Sequence, residues 1–242
     1  MKRIKVTSPH GINTCIQLPS SKSICNRALI INALAKGNCH PENLSDCDDT
    51  RVMIQALQHM PSIIDIMAAM RFLTAFLAVG EGTHIITGTQ RMQQRPISIL
   101  VNALRALGAD VEYAGNEGFP PLRIVGRKLV NSEVTLPGNV SSQYISALLM
   151  IGPALTNGLK LTLTGEIVSR PYIDLTLKLM RDFGANVTWI SENQLEVKPQ
   201  PYQAVPYYVA RLRTGMKSAH YRNRQQSVCR DYSAKARKVT RK

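Results

Sequence analysis

Two stretches of this chain, 77 residues apart, carry the same signals in the same order, and no other feature restricts the fold as strongly. The first reads Gly82-Thr83-His84-Ile85-Ile86-Thr87-Gly88, then Arg95-Pro96-Ile97, then Leu104-Arg105-Ala106-Leu107-Gly108-Ala109-Asp110-Val111. The second reads Gly158-Leu159-Lys160-Leu161-Thr162-Leu163-Thr164-Gly165, then Arg170-Pro171-Tyr172, then Leu179-Met180-Arg181-Asp182-Phe183-Gly184-Ala185-Asn186-Val187. Each predicts a strand, a turn, a helix opened by proline at its first position, a glycine stop and a hairpin. The hairpins fall at 109–113 with 122–125 and at 185–190 with 194–197. A helix precedes each copy: Met70-Arg71-Phe72-Leu73-Thr74-Ala75-Phe76-Leu77 before the first, and the apolar run after Ser141-Ser142 before the second. Residues 20–57 fit a degenerate third copy of helix, link and a second helix from Asp48-Asp49-Thr50. Three βαβαββ-like units predict one α/β domain of pseudo-threefold symmetry over 1–209, with equivalent helix starts converging at one end.

Two of those helix starts are rich in serine. Leu18-Pro19-Ser20-Ser21-Lys22-Ser23-Ile24-Cys25-Asn26-Arg27 reads as a loop running into a helix, because Ala28-Leu29-Ile30-Ile31-Asn32-Ala33-Leu34-Ala35 follows with helical apolar spacing and Gly37 closes it. Serines at a helix start cap its free N–H groups, and that end carries partial positive charge. Lys22 and Arg27 add two cations, which makes the stretch suited to an anion. Leu136-Pro137-Gly138-Asn139-Val140-Ser141-Ser142-Gln143-Tyr144 repeats the pattern and points to one ligand held between the two. Two ordinary helix caps are the alternative for either stretch taken alone.

A length of 242 residues with 44% hydrophobic content allows a proper core. The longest charge-free run, near 140–159, is broken by Ser, Gln, Gly, Pro and Asn, so no membrane span is expected. Met1-Lys2-Arg3-Ile4-Lys5-Val6 has a basic start and no apolar segment behind it, which predicts no signal peptide and a cytoplasmic protein. The cysteines at 15, 25, 39, 47 and 229 are scattered, odd in number and never in a CxxC pair; reduced thiols and no metal are expected. The net charge of +14 raises nucleic-acid binding, yet 210–242 alone holds eleven Lys/Arg against one Asp. That tail shows no apolar periodicity and has the composition of disorder, so any nucleic-acid contact would be non-specific and salt-dependent.

The other candidates are less distinctive. Lys22-Ser23 lacks the glycines of a phosphate-binding loop. Asp46, Asp48 and Asp49 lack EF-hand spacing and read as caps and first-turn acids of the helix at Thr50. Arg91 and Arg95 offer cations just before a helix, or are solvated surface residues; Ser169-Arg170-Pro171-Tyr172 occupies the equivalent place in the next copy. Trp189, in a hairpin strand, is expected in the core. No pair of carboxylates and no Ser-His-Asp set declares itself.

Taken together, Leu18-Pro19-Ser20-Ser21-Lys22-Ser23 with Asn26-Arg27-Ala28-Leu29, Arg91-Met92-Gln93-Gln94-Arg95-Pro96-Ile97, Gly118-Phe119-Pro120-Pro121-Leu122, Ser141-Ser142-Gln143-Tyr144 and Ser169-Arg170-Pro171-Tyr172-Ile173-Asp174 resemble the 5-enolpyruvylshikimate-3-phosphate synthases. The resemblance implies an enolpyruvyl-transferase-like fold, one of two domains each built from three βαβαββ units. It implies transfer of the enolpyruvyl group of phosphoenolpyruvate to shikimate 3-phosphate, in the shikimate route to chorismate and aromatic amino acids, by a monomer that needs no cofactor. By matching motif, Lys22 would touch both substrates and serve catalysis, and Ser23 and Arg27 would hold shikimate 3-phosphate. Ser141, Ser142 and Ser169 would hold its phosphate, Gln143 and Tyr172 would lie beside the ring, and Arg95 would bind phosphoenolpyruvate. Two phosphorylated, carboxylated substrates need such cations to offset their repulsion.

Three departures accompany the resemblance. The family's Asn/Ala-Ala-Gly-Thr-Ala-x-Arg run is replaced by Ile66-Met67-Ala68-Ala69-Met70-Arg71, without the Gly-Thr-Ala segment. The acidic proton-transfer residue belongs to the family's other domain. After Tyr207-Tyr208-Val209 the basic tail stands where an acidic, Ser-rich crossing is expected, as an out-of-frame reading would give. The expectation is a chain that binds the acceptor without turnover. The rivals are a sister enzyme acting on UDP-N-acetylglucosamine, and a remnant that only binds ligand.

Overall fold

The computed structural model describes residues 19–36, 39–65 and 69–210. The readings that concern Gly37, 66–68, the tail from 211 onward, Cys15, Cys229 and the first six residues lie outside the described residues.

Helix α1 (Lys22–Leu34) starts after the extended Ser21, whose O accepts from Ile24 N and Cys25 N at 3.1 and 2.9 Å. The loop that runs into this helix gives way to it at Lys22, which puts Lys22 and Asn26, and Ser23 and Arg27, one turn apart on the same helix. Ser21 is the N-cap residue, but its side chain makes no capping bond. Helix α2 (Asp48–His59) is capped by Cys47, with Asp48 and Asp49 in its first turn. Asp46 is not a cap; it and Asp48 share Arg51.

Strand β1 (Ile63–Asp65), helix α3 (Met70–Ala78), strand β2 (Thr83–Thr87), the short α4 (Gln90–Gln93), α5 (Ser98–Ala106), β3 (Asp110–Tyr113) and β4 (Leu122–Val125) form the first full unit. Strand β5 (Glu133–Pro137), α6 (Ser142–Ile151), β6 (Leu159–Thr164), α7 (Arg170–Asp182), β7 (Val187–Trp189) and β8 (Gln194–Val197) form the second. Their sheets have the same order, β1-β2-β4-β3 and β5-β6-β8-β7, with a parallel first pair and antiparallel partners beyond. Burial alternates along β2, β5 and β6, so each sheet turns one face to the helices and one to water. The copies agree in detail: Arg105 reaches Val111 O at 2.8 Å from the end of α5, and Arg181 reaches Val187 O at 2.8 Å from the end of α7. The third unit is the degenerate one. Its helices are α1 and α2, and its described pairing is a parallel bridge of Glu42 with Tyr208.

Helices α1, α3 and α6 pack on one another and are buried on nearly every side; in α6 nine of the ten residues are buried. Helices α5 and α7 lie outside them and bury one stripe, which in α7 is Ile173, Thr176, Leu177 and Met180 at i, i+3, i+4 and i+7. Two details depart from expectation. Pro96 stands two residues ahead of α5, because Ile97 N is donated to Gly118 O at 2.9 Å and holds that residue outside the helix; Pro171 lies just inside α7. Trp189 is half-buried rather than core. It lies on the edge strand β7, under the Arg170 guanidinium at 4.3 Å, and its Nε1 donates to Asp174 at 3.0 Å. No helix among the described residues is long and apolar enough to cross a membrane.

Candidate anion-binding cleft

Because α1, α3, α6 and α7 meet, side chains far apart in sequence reach one point, and that point is Arg27. Its side chain is almost fully buried on α1. Nε donates to Thr176 Oγ1 of α7 at 2.7 Å, Nη2 to Ser146 Oγ of α6 at 3.0 Å, and Nη1 to Ser23 O at 2.9 Å. The guanidinium lies 5.1 Å from the ring centre of Phe72 on α3. Burial lowers its pKa to about 10, with a smaller opposing effect from Tyr172, and no carboxylate contributes. At neutral pH this is a buried positive charge held by neutral groups, which favours an anion nearby.

The cleft beside it has a volume of about 190 Å³ and is lined by Lys22, Ser23, Asn26, Arg27, Phe72 and Gln143. Lys22 is half-exposed and ion-paired with the buried carboxylate of Asp49 on α2. Gln143, in the first turn of α6, accepts from Arg71 Nη1 at 3.0 Å. Arg71 in turn lies over the Tyr144 ring at 5.2 Å, and its Nε is buried without a hydrogen-bond partner. Lys22, Arg27 and the Gln143 amide therefore line one small space, Arg71 reaches it only through Gln143, and no acid lines it among the described residues.

The two serine-rich helix starts do come together: Lys22, Ser23 and Arg27 from the first and Gln143 from the second line the same cleft. Ser141 is the exposed N-cap of α6, where its Oγ accepts from Gln143 N at 3.4 Å; Ser142 is buried behind it. Ser169 caps α7 through its carbonyl, which accepts from Tyr172 N at 3.1 Å. Tyr172 is 40% exposed, one turn before Thr176. Arg95 is exposed and does not line the cleft; the neighbouring Pro96 O accepts from Tyr144 Oη at 2.6 Å, which ties that segment to the first turn of α6. Asn26 and Phe72 in the lining, and Ser146 and Thr176 behind it, were not expected from the sequence as site residues. Asn26 stood inside a quoted motif, whereas the other three look like ordinary helix residues.

At Cys47 two effects compete. Burial raises the thiol pKa, but hydrogen bonds from Thr50 and Ser45 and the charge of Lys22 outweigh it, and the net shift is downward. At Cys25 burial dominates and the shift is upward.

Residues 6–68 and 65–210 match the family described as EPSP synthase (3-phosphoshikimate 1-carboxyvinyltransferase). The two matched pieces meet at the stretch where the Gly-Thr-Ala segment is missing. A 3-phosphoshikimate 1-carboxyvinyltransferase of Bacteroides fragilis is 66% identical over 210 residues, which are 86% of this chain and 51% of that protein. The Shewanella piezotolerans protein of the same name is 38% identical, over 82% of this chain and 53% of its own. The chain thus spans about half the length of the curated relatives it matches. The solved EPSP synthase from Acinetobacter baumannii superposes with a TM-score of 0.68 at 22% identity, over 80% of this chain and 49% of that one, a likeness of fold. With the family match covering most of its length and the repeated α/β units superposing on that fold, the chain belongs to the EPSP synthase family.

Proposed function

We propose that the cleft is the acceptor side of an enolpyruvyl transferase and binds shikimate 3-phosphate. In the whole protein, that group would receive the enolpyruvyl unit of phosphoenolpyruvate, in the pathway to chorismate and aromatic amino acids. The observation that carries the reading is Arg27: a buried guanidinium with only neutral partners, at a cleft that Lys22 and Gln143 also line. A dianionic phosphate ester offsets the desolvation of that charge, and the hydroxyl-bearing ring fits the amide of Gln143. Ser23, Ser141, Ser142 and Ser169 would supply hydroxyl and N–H donors around the phosphate, with Tyr172 beside the ring. Arg95 would meet the second substrate outside the cleft, and Lys22 lies where it can reach both. The protein would act as a cytoplasmic monomer on small molecules.

Titration calorimetry of the purified chain with shikimate 3-phosphate tests this. One-to-one binding, with shikimate lacking the phosphate bound far more weakly, is expected. Equal binding of the two, or preference for UDP-N-acetylglucosamine, overturns it.

A further inference from the structure

We propose that Ser146 and Thr176 are positioning residues, a hydroxyl pair that fixes the direction of Arg27 without neutralising it; the proposal rests on the acceptor reading above. The partner available to a buried arginine is commonly a carboxylate, and even the half-exposed Lys22 has one in Asp49. A carboxylate on Arg27 would cancel the charge that an incoming anion needs. The structure supplies two neutral oxygens instead, at 2.7 and 3.0 Å, from two different helices.

The proton count makes the pair directional. Tyr172 O can only accept, and Thr176 Oγ1 lies 2.9 Å from it, so the one hydroxyl proton of Thr176 goes there. Ser146 Oγ and Thr176 Oγ1 are 2.8 Å apart, so the proton of Ser146 goes to Thr176. Both hydroxyls then turn lone pairs toward Arg27, and the chain of donors runs Ser146, Thr176, Tyr172 O. Both side chains are fully buried, which removes water as a competitor. A guanidinium has five N–H groups. Thr176, Ser146 and Ser23 O occupy three, and one each on Nη1 and Nη2 is left for a ligand in the cleft that Arg27 lines. The chain's end at Tyr172 O also ties the first turn of α7, where Ser169 and Tyr172 stand, to the same orientation.

The test uses the full 242-residue chain with Thr176→Val, Thr176→Ser and Ser146→Ala, each checked by thermal melting. Shikimate 3-phosphate affinity is read by calorimetry and exchange of the Arg27 Nε–H by nitrogen-15 NMR. Thr176→Val and Ser146→Ala are expected to weaken binding about tenfold. Thr176→Ser, which keeps the oxygen, is expected to stay within about threefold of the parent, and Thr176→Val to speed Nε–H exchange. In an Arg27→Ala background, Thr176→Val should change the affinity no further. Unchanged exchange and affinity in both Thr176→Val and Ser146→Ala overturn the positioning role, as does an equal loss in Thr176→Ser. If Thr176→Val does not fold, Ser146→Ala alone decides. Faster Nε–H exchange in Thr176→Val together with no shikimate 3-phosphate binding by the parent chain overturns the acceptor reading and leaves the clamp on Arg27 standing.

Discussion

Arg27 is a residue whose environment works against its own charge. Its pKa, lowered by burial from the ordinary arginine range to about 10, means that folding disfavours the protonated form. From about pH 10 up to the ordinary arginine range the folded chain has lost a proton that the unfolded chain keeps, so stability rises with pH in that window. Below it both states are charged and the cost is constant. The charge is therefore intact at pH 6 to 9, and the pH dependence of acceptor binding should come from the ligand. A phosphate monoester loses its second proton at about pH 6, so affinity is expected to rise severalfold from pH 5 to 7.5 and then stay level to pH 9. Calorimetry across that range checks it, and a fall in affinity between 7.5 and 9 would contradict it. Replacing the group removes charged hydrogen bonds of about 1.5–3 kcal/mol, so Arg27→Ala should weaken binding about tenfold or more. A second residue-scale expectation concerns thiols. Cys47 is stabilised as thiolate by Thr50, Ser45 and Lys22 against burial, while burial raises Cys25. Iodoacetamide should label Cys47 before Cys25, as read by peptide mass spectrometry, and bound shikimate 3-phosphate should slow it if the ligand engages Lys22.

The repeat lets equivalent elements be compared within one molecule. Gly82 and Gly158 open the middle strands β2 and β6 with φ of +85° and +71°. A Cβ at Gly82 would meet only His84 Nε2 at 3.4 Å, whereas at Gly158 it would run into Val197 O and Pro199. Gly82→Ala should therefore cost about 1–2 kcal/mol for its backbone conformation, and Gly158→Ala about 1–3 kcal/mol more for overpacking. Urea denaturation should show that order, and equal losses would contradict the local geometry. The units themselves were legible because glycine stops, the proline turns and alternating strands are local signals. The start of α1 was not, since nothing between Ser20 and Arg27 distinguishes a capped loop from a first helical turn until the carbonyl of Ser21 is seen accepting from Ile24 and Cys25. Trp189 was misplaced because a strand's alternation does not say whether the strand is at an edge. In the cleft, Lys22, Ser23, Arg27 and Gln143 were readable from their motifs. Ser146 and Thr176 were not, because their role depends on contacts 119 and 149 residues away along the chain.

At the scale of the whole molecule, the described lining of the cleft offers cations, a hydroxyl and amides but no carboxylate for proton transfer. Its lining is Lys22, Ser23, Asn26, Arg27, Phe72 and Gln143, with no acid among them, and Lys22 is engaged by Asp49. Enolpyruvyl transfer needs a proton delivered to the methylene carbon of the donor and one removed from the acceptor hydroxyl, each by a group within hydrogen-bond reach. Arg71, which follows a stretch without Gly-Thr-Ala, bonds Gln143 and lies over the Tyr144 ring. Arg71 Nη1 already donates to Gln143 Oε1, so an acceptor hydroxyl that donates to that oxygen would compete with it. The chain, given both substrates, is therefore expected to bind shikimate 3-phosphate and release no phosphate. Inserting Gly-Thr ahead of Ala69, to restore the run that leads into Met70 and Arg71, should draw Arg71 away from Gln143 and tighten acceptor binding severalfold. It should not by itself start turnover, because it adds no proton-transfer group. A coupled phosphate assay and calorimetry on both forms decide the matter: phosphate release by the unaltered chain would show that the described cleft already holds its acid and base, and unchanged acceptor affinity after the insertion would show that the Arg71–Gln143 bond does not compete with the ligand.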